Sequence, residues 1–442
     1  MTVNLLNPSP TLSPTLSPTL SPTLKLSVLA ASLNSVNLGF DIGVTADVVP
    51  LLSDSLSTTN LSLFVGIFSL SSIVGSLLSP LISDTFGRRF TFSISGVVFI
   101  IGCICQSLSP SFSVLLIGRA ILGIGVGFGL AIDPIYISEV SPKHLRGRLV
   151  TCSEISINVG ILIGFIVGYG LQDVANNWRW MIGCGSLLPS VIIIMIALGF
   201  MPESPRWLVM KGQTMKSRSI LASINPSLDD EGLNAMLLEI DLSISEERSS
   251  YSNSNSNSGD NKLNGTPWSI FFSPPLFLKR MLVVGVLIAS TQQLTGVDGV
   301  QYYMNFLLEA SGITSQRSRF GVVILLGLCK LSAVVFAAPK IDSLGRRPMV
   351  LTSISGMIIG LFLLAIQLYS GIWVGLSIVG LLIFYVFFSV GLGPVCWLIP
   401  AEIFPNAIRA KAVAITTLCN RLSSTLIGER AKRASLDEVS SD

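Results

Sequence analysis

The chain has 442 residues, of which half are hydrophobic and only 12% are charged, and its formal net charge is +3. Soluble domains carry about twice that charged fraction, so the composition excludes an ordinary soluble domain and predicts an all-α polytopic membrane protein. The small net charge excludes nucleic acid as a partner. With seven scattered cysteines and one histidine, His144, the sequence offers no metal site, no cofactor site and no His-based catalytic set. An enzyme is therefore not expected.

Eleven apolar segments are long enough to cross a bilayer as helices. They occupy residues 26–49, 62–82, 90–108, 112–135, 149–171, 180–201, 281–308, 319–339, 349–370, 372–399 and 409–428. We expect a disordered tail over residues 1–24, where Ser-Pro-Thr-Leu repeats and proline prevents a helix. A six-helix bundle is expected over 25–201 and a cytoplasmic loop over 202–279. An incomplete second bundle of about five helices over 280–428 and a short polar tail over 429–442 complete the chain.

Lysine and arginine gather in alternate connections, for example at Arg88 and Arg89 and in the 202–279 loop, whereas the opposite connections hold few. By the positive-inside rule this pattern predicts a cytoplasmic N-terminus. Within the loop, residues 212–248 are predicted to form one or two short amphipathic helices. A Ser-Asn repeat at 252–258 follows, with the composition of a flexible linker.

The seventh apolar segment carries four polar side chains at membrane depth: Gln292, Gln293, Asp298 and Tyr302. Such groups are costly in lipid and usually face a bundle interior or a water-filled cavity. On an ideal helix Gln293 and Asp298 point about 140° apart, so both can address one ligand only if the helix breaks between them. Gly296 and Gly299 favour a break, and discontinuous helices form the mid-membrane site of many transporters. The alternative is a polar helix face that only bonds to its neighbours.

An internal repeat relates the two halves. Asp84-Thr-Phe-Gly-Arg-Arg89 recurs as Asp342-Ser-Leu-Gly-Arg-Arg347, and Glu139 followed by Arg146 recurs as Glu402 followed by Arg409. Each motif falls at the same place in its half, which indicates two parallel repeats of six spans. Acids and arginines at neighbouring helix ends could form an ion-pair network that holds the cytoplasmic face closed. Ordinary basic flanking of membrane spans is the alternative.

A set of short motifs follows residues 26–428 in a fixed order. They are Gly39-Phe-Asp-Ile-Gly43, the two Asp-x-x-Gly-Arg-Arg loops, Gly118-Arg119, Pro134-x-Tyr136-x-Ser138-Glu139, Pro202-Glu-Ser-Pro-Arg-Trp-Leu208, Gln292-Gln293-x-x-Gly296, Tyr302-Tyr303 and Gly393-Pro394-x-x-Trp397 with Glu402-Ile-Phe-Pro405. Together they resemble the sugar porter branch of the major facilitator superfamily, and residues 391–415 are particularly similar to a bacterial xylose–proton symporter. The resemblance implies a major facilitator fold with two six-helix bundles, the second one truncated here.

The resemblance also implies site residues. Substrate contacts are expected from Gln292, Gln293, Tyr302, Trp397 and Asn420. The family's usual asparagine is Asp298 here and its usual glutamine is Glu154, and both departures resemble the plant polyol transporter branch, which favours linear polyols over ring sugars. The cytoplasmic gate is expected to comprise Asp84, Arg88, Arg89, Glu139, Arg146, Glu203, Arg206, Asp342, Arg346, Arg347, Glu402 and Arg409. Asp133 matches no pattern and receives no role.

Asp41 and Arg119 are the candidate proton-coupling pair. Counted at about 1.5 Å per residue, both lie in the outer third of their apolar segments. An isolated charge is expensive there, so we expect them to pair. A carboxylate that pairs with arginine when ionised and releases it when protonated is a proton-driven switch. A permanent structural ion pair is the alternative.

These observations predict a secondary active transporter that moves a sugar or polyol by proton symport with alternating access. A facilitative sugar uniporter and a truncated, transport-inactive sugar sensor or non-functional isoform are the alternatives. We expect a monomer in a lipid bilayer, in the plasma membrane first and in a vacuolar or plastid membrane otherwise. An incomplete second bundle is expected to leave Arg421 poorly sheltered from lipid, and residues 409–442 loosely packed or on the cytoplasmic side. This form is then expected to transport weakly or not at all.

Overall fold

The structure is a computed structural model that describes residues 21–53, 55–142, 145–195, 201–252, 268–272, 274–371, 373–405 and 408–439. In these residues all regular secondary structure is helical. Nine helical stretches within them are long and apolar enough to cross a membrane. The predicted all-α polytopic class is therefore confirmed.

The first half consists of six long helices. They are α1 (Pro22–Ser53), α2 (Thr58–Phe86), α3 (Arg88–Ser107), α4 (Phe112–Val140), α5 (Arg146–Leu171) and α6 (Asn177–Met195). All six coincide with predicted segments. The sixth segment was predicted to reach residue 201, and its part over 196–200 lies outside the described residues.

Three helices follow in the connecting segment: α7 (Pro205–Met210), α8 (Thr214–Ile224) and α9 (Asp230–Ser252), of which α9 is the longest, with 23 residues. Ser204 caps α7, because its side chain accepts a hydrogen bond from the Trp207 backbone N–H. Leu221 on α8 packs with Leu233 and Leu237 on α9. The predicted amphipathic helices are thus confirmed, and most of the Ser-Asn repeat lies outside the described residues. The tail predicted over 1–24 lies outside them up to residue 20, but its end is wrong, because α1 already begins at Pro22.

The second half contains shorter helical pieces. They are α10 (Leu276–Leu294), α11 (Val297–Tyr302), α12 (Met304–Ala310), α13 (Gln316–Ala337), α14 (Ile341–Leu344), α15 (Arg346–Ser370), α16 (Val374–Val390), α17 (Leu392–Ile403) and α18 (Arg409–Val439), with 3-10 turns at Trp268–Phe271 and Ala338–Lys340. The segment predicted over 281–308 is three helices, and the one predicted over 372–399 is two.

The last predicted segment, 409–428, corresponds to the first part of α18, which is not among the nine membrane-length helices. The expectation that this part of the chain is loosely packed was wrong for residues 409–424, most of which are buried. Asn420 and Arg421 are buried, and α18 packs against α2 and α10. The reason is that α18 contacts the first half of the chain as well as its own, a contact that the sequence does not reveal.

Close backbone contact joins α1 and α5. A Cβ atom at Gly39 would collide with the carbonyl oxygen of Ile157, and one at Gly160 would collide with that of Val36. Small residues allow membrane helices to approach and gain van der Waals contact. Between the halves, α2 packs on α18, α5 packs on α13, and α1 packs on α11 and α12. These contacts place a polar cavity at the centre of the molecule.

Candidate functional site

The central cavity, called the chamber below, lies between the two halves. Its polar lining residues are Glu154, Gln292, Gln293, Asp298, Gln301, Lys330, Trp397 and Arg421. The first half contributes α1, α4 and α5 to the wall, and the second half contributes the rest. The room for the centre of a water-sized group is about 50 Å³, and one water needs roughly 10–15 Å³. The chamber therefore has room for only a few water-sized groups in this conformation.

The predicted break in the seventh segment is present. Helix α10 ends at Leu294, and Gly296 has a φ of +80°, in the left-handed region that glycine adopts without strain. Helix α11 starts at Val297, so Gln293 and Asp298 stand on different helices and both reach the chamber. A second break, at Tyr303, was not predicted. Gly299 lies inside α11 and does not contribute to the break.

The two glutamines are held by protein partners. Gln292 donates to the carbonyl oxygen of Gly393 at 3.3 Å and accepts from Asn420 Nδ2 at 2.8 Å. With its amide oriented to satisfy both neighbours, Gln293 donates to Asp298 Oδ2 at 3.0 Å and accepts from Arg421 Nη2 at 2.8 Å. These bonds fix the orientation of the amides that face the chamber.

Two of the predicted substrate contacts do not line the chamber. Asn420 lies behind Gln292, where its amide also donates to the carbonyl oxygen of Ala289 at 2.7 Å. Tyr302 faces a separate cavity beside α2 that Ser62 and Ser69 also line. Five residues separate Tyr302 from Val297, so on α11 it points away from the chamber wall. In this conformation neither side chain lines the chamber, and the predicted substrate contacts of both residues stay predictions.

Asp298 is part of an ion pair that the sequence analysis missed. Its Oδ2 atom lies 3.5 Å from Arg421 Nη1 and accepts a hydrogen bond from Ser424 Oγ at 2.8 Å. Arg421 also donates to Asn420 Oδ1 at 2.6 Å. The arginine is buried within this network. It is therefore not poorly sheltered, contrary to the expectation. The sequence signal for this ion pair was the presence of an arginine inside an apolar segment.

Glu154 and Lys330 face each other across the two halves. Both are buried and line the chamber. The Lys330 ammonium lies 5.4 Å and 5.5 Å from the ring centroids of Tyr385 and Phe388, a cation–π arrangement. Asn158 donates to Glu154 Oε1 at 3.2 Å. Lys330 was missed, although a lysine in the middle of an apolar segment is itself a signal of function.

The predicted pair of Asp41 and Arg119 is present. Arg119 Nη1 lies 2.6 Å from Asp41 Oδ1, and Nη2 donates to Thr45 Oγ1 at 2.9 Å. The guanidinium also lies 4.8 Å and 4.5 Å from the ring centroids of Phe64 and Phe68. Asp41 is 4% exposed and Arg119 is 0% exposed. Among the described residues, the second oxygen of Asp41 has no hydrogen-bond donor.

The gate residues form two related ion-pair networks at one end of the molecule, called the charged end below. Arg88 binds Glu139 through two bonds of 2.9 Å and 3.0 Å and reaches Asp84 at 3.2 Å. In the second half Arg346 binds Glu402 through bonds of 2.6 Å and 3.1 Å and reaches Asp342 at 2.9 Å. The internal repeat is thus a structural repeat.

The other gate residues surround these networks. Glu203 accepts from the backbone N–H groups of Arg88 and Arg89 at 2.9 Å and 3.2 Å. Burial raises the pKa of the Glu203 carboxyl, although these N–H groups oppose the shift. Arg146, Arg206 and Arg409 line one cavity beside Glu139. Arg347 was also predicted to belong to the gate, but it is exposed and forms no ion pair within the described part of the chain.

Asp133 has a defined environment on α4. Its carboxylate accepts from Asn34 Nδ2 at 2.9 Å and from Ser35 Oγ at 2.6 Å, and Asn34 in turn accepts from Ser95 Oγ at 3.1 Å. The residue is 3% exposed. Among the described residues no cation lies within ion-pair distance of it. It lines a small cavity that adjoins the chamber at Glu154 and Trp397.

A helical protein with repeated halves and a buried polar cavity between them belongs to the class of secondary membrane transporters. Comparison with known proteins agrees with this class. The family model described as "Sugar (and other) transporter" matches residues 27–432. The chain therefore belongs to the sugar porter family of the major facilitator superfamily.

Curated relatives include plant proteins. Probable polyol transporter 4 of Arabidopsis thaliana is 37% identical over 406 residues, which cover 90% of this chain and 74% of the relative. Polyol transporter 5 of the same plant is 31% identical, with 90% of this chain and 76% of the relative covered. D-xylose-proton symporter-like 3, chloroplastic, also of Arabidopsis thaliana, is 29% identical, with 91% and 73% covered.

Solved structures of the xylose transporter XylE from E. coli share the fold. The proton:xylose symporter bound to 6-bromo-6-deoxy-D-glucose is 26% identical, has a TM-score of 0.82, and covers 94% of this chain and 90% of that one. The inward open conformation is also 26% identical but has a TM-score of 0.70, with 92% and 88% covered. This chain is thus more similar to the sugar-bound form than to the inward open form.

Proposed function

We propose that the protein couples the uptake of a linear polyol to the entry of a proton. The single observation that carries the coupling step is the pair of Asp41 and Arg119, buried at 2.6 Å between α1 and α4. Because the pair is buried, the loss of either charge would leave the other one alone at membrane depth, which is costly. Protonation of Asp41 removes its charge and frees Arg119 from its partner. The relatives named as a proton symporter and as polyol transporters support this proposal.

The chamber supports a substrate with many hydroxyl groups. It presents amides, two carboxylates, a lysine and an arginine, so both donors and acceptors are available for hydroxyls. Trp397 offers an apolar face for carbon-bound hydrogens. A linear polyol can turn each hydroxyl toward a separate partner, which suits a wall that carries charges of both signs.

The contacts at the two ends support alternating access as the proposed mechanism. The ion-pair networks of Arg88 and Arg346 lie at the charged end, and the contacts of α1 with α11 and α12 close the other end. We place the charged end in the cytoplasm, because its connections hold most of the lysine and arginine. The proposed unit is a monomer, and the plasma membrane is the proposed location.

Uptake into liposomes tests this function. The purified chain is reconstituted, and labelled sorbitol, xylitol, glucose and xylose are offered with and without an imposed proton gradient. We expect polyol accumulation above equilibrium only with the gradient, and collapse of the accumulation by a protonophore. Uptake that never exceeds equilibrium in either condition would identify a uniporter instead. Empty liposomes and the Asp41→Asn variant serve as controls.

A further inference from the structure

A second small cavity, called the notch below, adjoins the chamber. Its wall includes Ser35, Asp133, Ser153, Glu154 and Trp397. The chamber and the notch share Leu130, Glu154, Ile157 and Trp397. Together they form one elongated polar space between the two halves.

The notch lies toward the charged end of the chamber. On α1 the chamber is lined by Leu38 and Ile42, whereas the notch is lined by Ser35. On α5 the lining of the chamber runs from Glu154 to Ile161, whereas that of the notch runs from Val150 to Ile157. These shifts correspond to about one helical turn, or about 5 Å along the helix axes.

The notch has polar groups that are free to bind a ligand. Ser153 is 8% exposed, and its hydroxyl has no hydrogen-bond partner among the described residues. A buried hydroxyl without a partner is costly, so an unexplained one beside a cavity indicates a missing partner. Opposite it, the carboxylate of Asp133 is oriented by Asn34 and Ser35. Each carboxylate oxygen can accept more than one hydrogen bond.

The size of the notch limits its ligand. It leaves about 20 Å³ for the centre of a water-sized group, and one such group needs roughly 10–15 Å³. One hydroxyl fits and a sugar ring does not. A hydroxyl there would donate to Asp133 and accept from Ser153, which satisfies both.

We propose that the notch binds the terminal hydroxyl of a linear polyol whose remaining hydroxyls lie in the chamber. The inference rests on the proposed transport of polyols. In it, Asp133 and Ser153 distinguish long polyols from short ones. Short polyols leave the notch unoccupied by substrate, and longer ones reach it. Trp397 and Glu154, at the junction of the two cavities, contact the middle of the chain.

A series of linear polyols tests the proposal. Sorbitol, xylitol, erythritol and glycerol, with six, five, four and three carbons, compete with labelled sorbitol for uptake into liposomes. The wild type is compared with Ser153→Val, which fills the notch. The matched control is Ser156→Val, because Ser156 lies on the same helix and lines neither cavity. Asp133→Asn is a second variant, for the case in which Ser153→Val does not yield folded protein.

The expected result depends on chain length. Ser153→Val and Asp133→Asn should weaken competition by sorbitol about tenfold, the effect of losing one good hydrogen bond, and leave erythritol and glycerol unchanged. Ser156→Val should match the wild type. An equal loss for every length, or no loss for sorbitol in either variant, would overturn the proposal. A wild type that binds none of the polyols would instead refute the proposed function, and this inference with it.

Discussion

The amide of Asn305 on α12 donates a hydrogen bond to the carboxylate of Asp47 on α1, with 3.0 Å between Nδ2 and Oδ1. The same amide donates to the carbonyl oxygen of Ala46 at 2.9 Å. Both side chains are buried, and the bond joins the two halves at the end opposite the charged end. Neither residue was predicted from the sequence. This hydrogen bond therefore connects the two halves of the chain at that end of the molecule.

Asn305→Leu should destabilise the protein by about 1–3 kcal/mol, because it leaves the buried Asp47 carboxylate without its donor. Thermal unfolding in detergent measures the change. The double variant with Asp47→Ala should cost less than the two single variants together, since both partners are then removed. Strictly additive costs would show that the two side chains do not interact.

Asp41→Asn should abolish accumulation driven by a proton gradient, because the amide cannot bind and release a proton. Exchange of labelled for unlabelled polyol at equal concentrations should persist, since the chamber is intact. Uptake and counterflow in liposomes distinguish the two activities. Undiminished accumulation by the variant would remove Asp41 from the coupling step.

Glu154→Gln together with Asp298→Asn should shift preference from linear polyols toward ring sugars, because it restores two amides in place of carboxylates. The ratio of sorbitol to glucose uptake measures the preference. Asp298 pairs with Arg421, so Asp298→Asn alone leaves a buried guanidinium without its counter-charge. The matched control therefore combines Asp298→Asn with Arg421→Gln. A sorbitol to glucose ratio equal to that of the wild type would contradict the role of the acids.

Arg88→Met should destabilise the protein more than Arg346→Met does, although the two arginines are equivalent in the internal repeat. The Arg88 and Glu139 side chains are only 4% and 5% exposed, whereas Arg346 and Glu402 are 27% and 29% exposed. Breaking a buried pair costs about 3–5 kcal/mol, and breaking an exposed one costs about 0–1 kcal/mol. Unfolding of both variants in the same detergent gives the comparison. Equal costs would show that burial does not set the strength of these pairs.

Three features could be predicted from the sequence: the helices, the break at Gly296 and the pair of Asp41 and Arg119. Each depends on local composition or on the high free-energy cost of an unpaired charge at membrane depth. An apolar segment of sufficient length has one stable form in lipid, and a buried charge requires a partner. The chamber residues Lys330 and Arg421 could not be placed in this way. Each is a single cation in an apolar segment, and its partners stand on helices that are distant in sequence.

The position of Asp133 shows the same limit. Its hydrogen-bond partners Asn34 and Ser35 are about 100 residues away, and its proximity to Ser153 depends on how α4 and α5 pack. Tyr302 differs from Asp133, because it was predicted to reach the chamber and does not line it in this conformation. Its place in a polar stretch suggested the chamber, but its direction depends on where α11 starts, which local composition does not determine.

The breaks at Gly296 and Tyr303 divide one membrane crossing into three rods, whereas α1 crosses as a single helix of 32 residues locked to α5 through glycine contacts. Gln293 and Asp298 therefore stand on two separate helices of an interrupted crossing, whereas Asp41 stands on one continuous helix. In the proposed transport cycle, substrate binding would therefore first rearrange short helical pieces, and protonation of Asp41 would act on a helix that spans its whole crossing.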